Sequence, residues 1–279
     1  MISSAIYFVG DGCFPNLLGS VADTTPECVL VLRNSKYIVS IHMKRMDLSM
    51  VLVAVLMCIS GYAALFVAPD ERTMHAAQRI FYFHLPSWIA MFTAFFIAVV
   101  GNIAYLTTRS PKWDWLGVAS AEVGVTCCTI GLITGPLWAK PIWGIWWTWD
   151  PKLTTTFILW MLYISYLLLR TLVEEPERRA MVSAVFGVFA FLDVPLVYLA
   201  NRIWRTQHPA PVILGGPGSG LNPTMGKVLL LCVTAELGVM ILLLLDRYRL
   251  ERLRYEVGEL RLKIESCNLD RGVLEKGAI

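Results

Sequence analysis

The chain has 279 residues, of which 56% are hydrophobic and 16% are charged, and its mean hydropathy is +0.59. Water-soluble domains carry about 25% charged residues, so this composition excludes an ordinary soluble domain and indicates a membrane protein. The net charge of +3 comes without a basic run suited to nucleic acid, and it informs membrane topology instead.

Residues 1–42 precede any stretch that could cross a membrane. They are rich in turn formers up to about residue 25 and then give two short β-like runs, CVLVL and YIVSI. An isolated pair of strands is marginally stable in water. Met43 is followed by Lys44 and Arg45, which is the pattern of a natural start before a first span. We therefore expect residues 1–42 to be a disordered extension or an over-extended gene start.

Six apolar stretches follow, and each is close to the length of about 20 residues that a helix needs to cross a membrane core. They are residues 48–68, 88–106, 116–136, 154–172, 181–200 and 226–245. The sequence therefore predicts an all-α membrane protein whose membrane domain, residues 43–245, contains six transmembrane helices.

The orientation of these helices follows from the Lys and Arg residues beside their ends, because such residues are retained on the cytoplasmic side. Basic residues are most concentrated before the first span, between the second and third, between the fourth and fifth, and after the sixth. Both termini are therefore predicted to be cytoplasmic, and three loops lie outside. The second outer loop, residues 138–153, contains the stretch WGIWWTWD.

Two histidines lie on the predicted outer face. His84 lies in RIFYFHLP at the start of the second span, and His208 lies in RIWRTQHPAP just beyond the fifth. A single histidine near a membrane interface usually makes one ordinary hydrogen bond. Two on the same face, beside an aromatic segment, are typical of haem binding, because neutral imidazole ligates iron from either side of the porphyrin.

The aromatic segment places four tryptophans in seven positions and an aspartate directly after them: Trp143, Trp146, Trp147, Trp149 and Asp150. Tryptophan collects at membrane interfaces, which is a sufficient explanation for isolated residues such as Trp88. If the segment is helical, the spacing places Trp143, one of the next two tryptophans and Asp150 on one face as a continuous shelf, with Trp149 pointing elsewhere.

The residues around the shelf have predicted roles of their own. Gly144 permits close approach of another backbone, and Pro151 ends any helix before it. Asp150 is expected to cap the span that begins near Lys152, or to orient an indole N–H or a basic side chain.

Three motifs carry a family resemblance. The stretch LITGPLWAKPIWGIWWTWDPKLTTTFIL resembles the tryptophan-rich WWD signature of the haem-handling proteins of cytochrome c maturation, and most of all their six-span CcmC branch. RIFYFHLP and DVPLVYLANRIWRTQHPAP resemble the two histidine regions of that branch, so the resemblance covers residues 79–245. Lys152 stands where the family usually has arginine, so a contact with a haem propionate there would keep its charge but lose a bidentate geometry.

The resemblance implies the function and the site. His84 and His208 would be the axial ligands of haem b, and the haem-holding loop would consist of Trp143, Trp146, Trp147, Trp149 and Asp150. Basic residues predicted outside are candidates for the propionates: Arg79, Lys140, Lys152, Arg202 and Arg205.

The same resemblance implies partners and a location. The protein would hold haem at the outer face of the cytoplasmic (inner) membrane and deliver it to the periplasmic haem chaperone CcmE, with CcmA, CcmB and CcmD as membrane partners. It would not be an enzyme. The sequence has no GxxxxGK[ST] loop, so any use of ATP is assigned to a partner.

Two other functions remain open from the sequence. A bis-histidine haem also suits an electron-transferring cytochrome b, although there the ligands usually lie within the helical bundle. A small-solute transporter could use Glu122 and Asp193, which lie within predicted spans where ionisable groups are costly and often functional. Glu236, in the last span, has the same status.

The C-terminal segment, residues 246–279, has an apolar repeat at alternating spacings of three and four: Leu250, Leu253, Val257, Leu260 and Ile264. This pattern predicts a cytoplasmic amphipathic or coiled-coil helix.

Overall fold

The computed structural model describes residues 48–208 and 221–277, so the segment 1–42 lies outside the described residues. The described parts are helical, and their one β-bridge joins Glu71 to His75. The helices are α1 (Leu48–Val67), α2 (Phe81–Thr108), α3 (Pro111–Trp143), α4 (Pro151–Leu172), α5 (Pro176–Phe191), α6 (Asp193–Ile203) and α7 (Pro223–Gly277). The all-α prediction is confirmed.

Within the described residues, six segments are long and apolar enough to cross a membrane, as the sequence predicted. α5 and α6 together form the fifth of them, Pro176–Ile203. Most of the helices are longer than the apolar stretches that revealed them. The third predicted span, for example, covered residues 116–136, whereas α3 runs over 33 residues. Hydropathy marks the apolar part of a helix, and polar or aromatic turns continue it at both ends.

Local sequence signals set several helix ends. Proline occupies the first position of α3, α4, α5 and α7, where its missing N–H has no helical acceptor to lose. α3 ends at Trp143 and is capped by Gly144, whose φ of +76° is the left-handed conformation that glycine adopts without strain.

The fifth span is interrupted where the sequence places DVP. α5 ends at Phe191, and α6 begins at Asp193 after the single residue Leu192. Pro195 has no N–H to donate to the carbonyl one turn earlier, so the helix loses a bond at this point. The interruption therefore has a local cause in the sequence.

Close contact between α2 and α3 forms the centre of the bundle, which lies within the compact unit from Val53 onward. A Cβ added at Gly101 would lie 2.9 Å from the backbone N of Gly117, and one at Gly124 would overlap the ring of Phe95. Phe95 in turn stacks on Tyr163 of α4 with ring centroids 3.7 Å apart. Small residues let membrane helices approach this closely, and the gain is van der Waals contact.

Ion pairs join the helices at the end of the bundle that is opposite to the tryptophan loop. Both guanidinium NH groups of Arg170 bind the carboxylate of Asp114 on α3, at 2.6 and 2.8 Å. Arg247 of α7 makes two contacts with Glu122, one of 2.6 Å. Glu122 is therefore committed to a structural pair rather than exposed for binding a solute.

Candidate functional site

An open pocket lies where the N-terminal ends of α2 and α4 and the C-terminal end of α3 meet the segment after α6. Its lining combines two imidazoles, four indoles and one ammonium group with mainly small and aliphatic residues: His84, Trp88, Trp138, Trp143, Trp146, Lys152 and His208. The cavity volume is about 80 Å³, and the empty space amounts to about 740 Å³ when the open solvent side is counted.

His208 reaches this pocket because Asp150 holds its ring. The Nδ1 atom of His208 lies 3.0 Å from Oδ2 of Asp150, and the edge of Trp143 packs on the imidazole with centroids 5.3 Å apart. A carboxylate accepts hydrogen bonds only, so Nδ1 carries the proton and donates it. The Nε2 atom then presents a lone pair, and it has no hydrogen-bond partner among the described residues.

The protonation of His208 reflects two opposing influences. Burial lowers the pKa of His208 from its ordinary value of 6.5, and the nearby charge of Lys152 acts in the same direction. The carboxylate of Asp150 opposes this shift. The imidazole is therefore neutral at pH 7, which is the form that can ligate a metal.

His84 is held by two other side chains. Its Nδ1 atom lies 2.8 Å from the hydroxyl oxygen of Thr134, and its Nε2 atom accepts a hydrogen bond of 3.0 Å from the indole N–H of Trp88. Trp138 packs edge-on against the same imidazole, with ring centroids 5.8 Å apart. The interface explanation of Trp88 was therefore incomplete. Its position four residues after His84 on one helix was the signal that places the two side chains together, whereas Thr134 has no such signal.

The tryptophan segment is not a helix. α3 ends at Trp143, and residues 145–150 are irregular, because Gly144 turns the chain and Pro151 disfavours helical backbone before it. The prediction of a continuous shelf is wrong for this reason. Gly144 also makes no close backbone contact, since a Cβ there would meet nothing within 4 Å.

The four indoles are instead divided between two places. Trp143 and Trp146 line the pocket with both histidines. Trp147 and Trp149 pack edge-on against each other at 5.6 Å and against Phe157 of α4, outside the pocket lining. Trp149 is 72% exposed and Trp146 54% exposed, so the segment also presents aromatic surface.

Asp150 fulfils both of its predicted roles. Its Oδ1 atom accepts a 2.9 Å hydrogen bond from the backbone N–H of Leu153, which caps the first turn of α4. Its Oδ2 atom accepts from His208, so one carboxylate joins the start of a span to a pocket imidazole.

The predicted propionate partners are now distinguishable by position. Of the five, Lys152 lines the pocket, with its Nζ atom 5.7 Å from the ring centroid of Trp88. Lys140 donates to the carbonyl of Gly144 at 2.9 Å, and Arg79 pairs with Asp70 at 3.1 Å. Lys152 has no carboxylate within ion-pair distance in the described part of the chain, and its charge is available to the pocket.

Comparison with known proteins identifies the family of this chain. Residues 29–263, most of the chain, match the family model CcmC, described as Heme exporter protein C. The chain belongs to the CcmC family. The match begins inside the segment 1–42 and ends inside the segment 246–279, so the family resemblance extends further at both ends than the sequence motifs indicated. A CcmC-family chain whose described residues contain six helices long and apolar enough to cross a membrane is a multi-pass membrane protein.

Individual relatives agree with the family. The chain is similar to Heme exporter protein C of Bradyrhizobium diazoefficiens, with 29% identity over 70% of this chain and 74% of the relative. It is similar to the protein of the same name from Paracoccus denitrificans, with 28% identity over 69% and 80% of the two chains. A ccmC-like mitochondrial protein of Marchantia polymorpha, named for cytochrome c biosynthesis, is 28% identical over 53% of this chain and 62% of its own.

Proposed function

We propose that this CcmC-family protein binds haem b as cargo at the outer face of the cytoplasmic (inner) membrane, for export in cytochrome c maturation. The observation that carries the proposal is the presence of His84 and His208 in one open pocket, each with Nδ1 as its protonated nitrogen. Two neutral imidazoles are the pair that a low-spin haem iron takes as axial ligands.

The remaining lining fits a porphyrin. Trp143 and Trp146 supply flat apolar surface, and Lys152 supplies a positive charge for a propionate carboxylate. Asp150 orients His208 and increases the basicity of its free nitrogen, as carboxylates do for metal-bound imidazoles.

The openness of the pocket suits a carrier rather than a resident cofactor site. The pocket is open on one side and its cavity volume is only about 80 Å³, so a porphyrin held between the histidines would keep part of its edge outside the bundle. A partner can take hold of an exposed edge without unfolding the spans. We therefore assign the pocket to collection and handover of haem, with no catalytic step of its own.

The acceptor we propose is the periplasmic haem chaperone CcmE, and the membrane partners are CcmA, CcmB and CcmD. Trp147 and Trp149 form a rim beside the pocket, and the 72% exposure of Trp149 leaves its indole available for a partner. Large exposed aromatic surface beside a site is typical of interaction surfaces. The excess of basic residues at the opposite ends of the helices supports cytoplasmic termini, so the rim faces outward.

The experiment is an optical spectrum of the full-length protein purified in detergent, alone and after adding haem. We expect a low-spin b-type spectrum in the wild type, and loss of the bis-histidine absorption in His84→Ala and in His208→Ala, since each removes one axial bond. Added CcmE should then acquire haem from the wild type. Wild-type spectra in both alanine variants would refute the ligand assignment, and haem that stays with the protein in the presence of CcmE would refute the carrier role.

A further inference from the structure

The two histidines of the pocket differ in the state of their metal-binding nitrogen. In His208, Nδ1 donates to Asp150, and Nε2 has no partner in the described residues. In His84, Nε2 already accepts the indole N–H of Trp88 at 3.0 Å. One ligand is therefore free for iron, and the other is occupied by a neighbouring side chain.

The hydrogen bonds around His84 show that this occupied nitrogen, Nε2, is the one that iron would need. The Oγ1 atom of Thr134 donates its single proton to the carbonyl of Ile130, at 2.8 Å. It can therefore only accept from His84, so Nδ1 of His84 carries the proton. The lone pair of His84 is on Nε2, where Trp88 donates.

The position of Trp88 is built into the helix packing. A Cβ added at Gly131 of α3 would lie 3.1 Å from the indole nitrogen, so glycine at this position leaves the space that the indole occupies. Lys152 of α4 lies over the face of the same ring, at 5.7 Å from its centroid. Groups from two other helices thus surround the indole in the orientation that directs its N–H at His84.

We propose that Trp88 is a positioning residue that competes with iron for the Nε2 lone pair of His84, which makes His84 the labile axial ligand and His208 the retained one. The proposal rests on the proposed haem-carrier function. When iron takes Nε2, the indole N–H loses its acceptor. When haem leaves, the hydrogen bond re-forms, so the empty site is not left with an unpaired nitrogen in a mostly buried position.

The expected change in haem affinity follows from the hydrogen bond that replaces the iron bond of His84. Release of haem from His84 regains one neutral hydrogen bond, whose ordinary net contribution corresponds to roughly a fivefold change in an equilibrium constant. Replacing Trp88 by phenylalanine keeps an apolar ring and removes the N–H. The variant Trp88→Phe should therefore hold haem roughly fivefold more tightly than the wild type.

The first test measures the rate at which full-length protein in detergent gives up haem to an excess of a haem-scavenging globin. Trp138→Phe is the matched control. The ring centroids of Trp138 and Trp88 lie at nearly the same distance from that of His84, 5.8 and 5.7 Å. The indole nitrogen of Trp138, however, has no hydrogen-bond partner in the described residues. We expect slower release in Trp88→Phe and a distinctly smaller change in Trp138→Phe. Equal slowing in both variants, or none in Trp88→Phe, would overturn the proposal.

The second test uses the haem-free protein with ¹⁵N-labelled tryptophan indoles, where Trp88→Phe identifies the Trp88 signal by its disappearance. We expect this signal to move in His84→Ala, which removes its acceptor, and to remain in place in His208→Ala. If the chemical shift of the Trp88 indole is the same in His84→Ala as in the wild type, the proposal is overturned. Failure of the wild type to hold haem through both histidines would overturn the carrier function as well, whereas histidine-dependent binding with unchanged release in Trp88→Phe would overturn only the competition.

Discussion

The carboxylate of Asp150 both caps α4 and binds His208, the proposed haem ligand, and substitutions can separate these two contacts. Serine at this position is a good helix N-cap and can accept from the N–H of Leu153, but its side chain is too short to keep the bond to His208 as well. Asparagine keeps one oxygen and replaces the other by an N–H₂ donor, which cannot accept the Nδ1 proton of His208. Alanine removes both contacts.

The magnitudes follow from the two bonds. Loss of an N-cap costs about 1 kcal/mol of stability, and loss of the partner that orients a metal-binding imidazole costs about 10- to 100-fold in metal affinity. Asp150→Ser should therefore unfold close to the wild-type temperature and bind haem about 10- to 100-fold more weakly. Asp150→Ala should show the same loss of haem affinity and an added destabilisation of about 1 kcal/mol.

The assays are a haem titration followed by absorbance and a thermal unfolding curve, both on protein in the same detergent. Asp150→Asn serves as the control for side-chain volume, and it should resemble the serine variant in haem affinity. If the serine and asparagine variants bind haem as tightly as the wild type, Asp150 acts only as a helix cap. If both fail to accumulate in the membrane, the structural role dominates and the proposed orientation of His208 loses its support.

Two further predictions concern charge. Lys152→Gln should weaken binding of haem roughly tenfold and leave binding of haem dimethyl ester, which has no free propionate, nearly unchanged. Lys152→Arg should retain most of the preference for haem over its dimethyl ester. If the glutamine variant keeps the full preference for haem, another cation binds the propionate. Burial places the folded-state pKa of His208 below its ordinary value of 6.5. The imidazole is therefore neutral and able to bind iron above pH 6.5, and this ability is lost as the pH falls through the lower folded-state pKa. Haem binding measured against pH should thus be flat from pH 8 to 7 and fall only below pH 6.5, and a loss that begins above pH 7 would contradict the shift.

The sequence predicted the parts of this protein that depend on local pattern. Apolar length revealed all six spans, because a helix that crosses a membrane must be long and apolar whatever it packs against. The cap by Asp150 was equally visible, since aspartate before proline at a span start has few other uses. These features need no knowledge of tertiary contacts.

The parts that the sequence did not predict depend on contacts between helices or on irregular backbone. The geometry of the tryptophans was wrong because a helical template was applied to a segment that Gly144 and Pro151 prevent from being helical. The contact of His84 with Thr134 crosses from α2 to α3, 50 residues apart, and no spacing rule relates the two. The pairing of Glu122 with Arg247 likewise joins residues 125 apart.

Neither of the two alternative functions fits the positions of the polar groups. A solute site near the centre of the membrane needs carboxylates that are free to bind, but Glu122 is held by Arg247. Asp193 and Glu236 remain as carboxylates within spans, and the described residues contain no group of three or more His, Cys, Asp or Glu that could hold an ion.

An electron-transferring haem is usually insulated by helices on all sides, because its iron must stay in place while electrons move. Here both imidazoles lie at one end of the bundle, beside an open mouth whose aromatic rim includes an indole that is 72% exposed. One of the two nitrogens proposed to ligate iron, Nε2 of His84, already accepts a hydrogen bond from Trp88. A permanent cofactor gains nothing from a competitor for its ligand, whereas a cargo that must be released does, and this contrast favours the carrier function over the electron-transfer one.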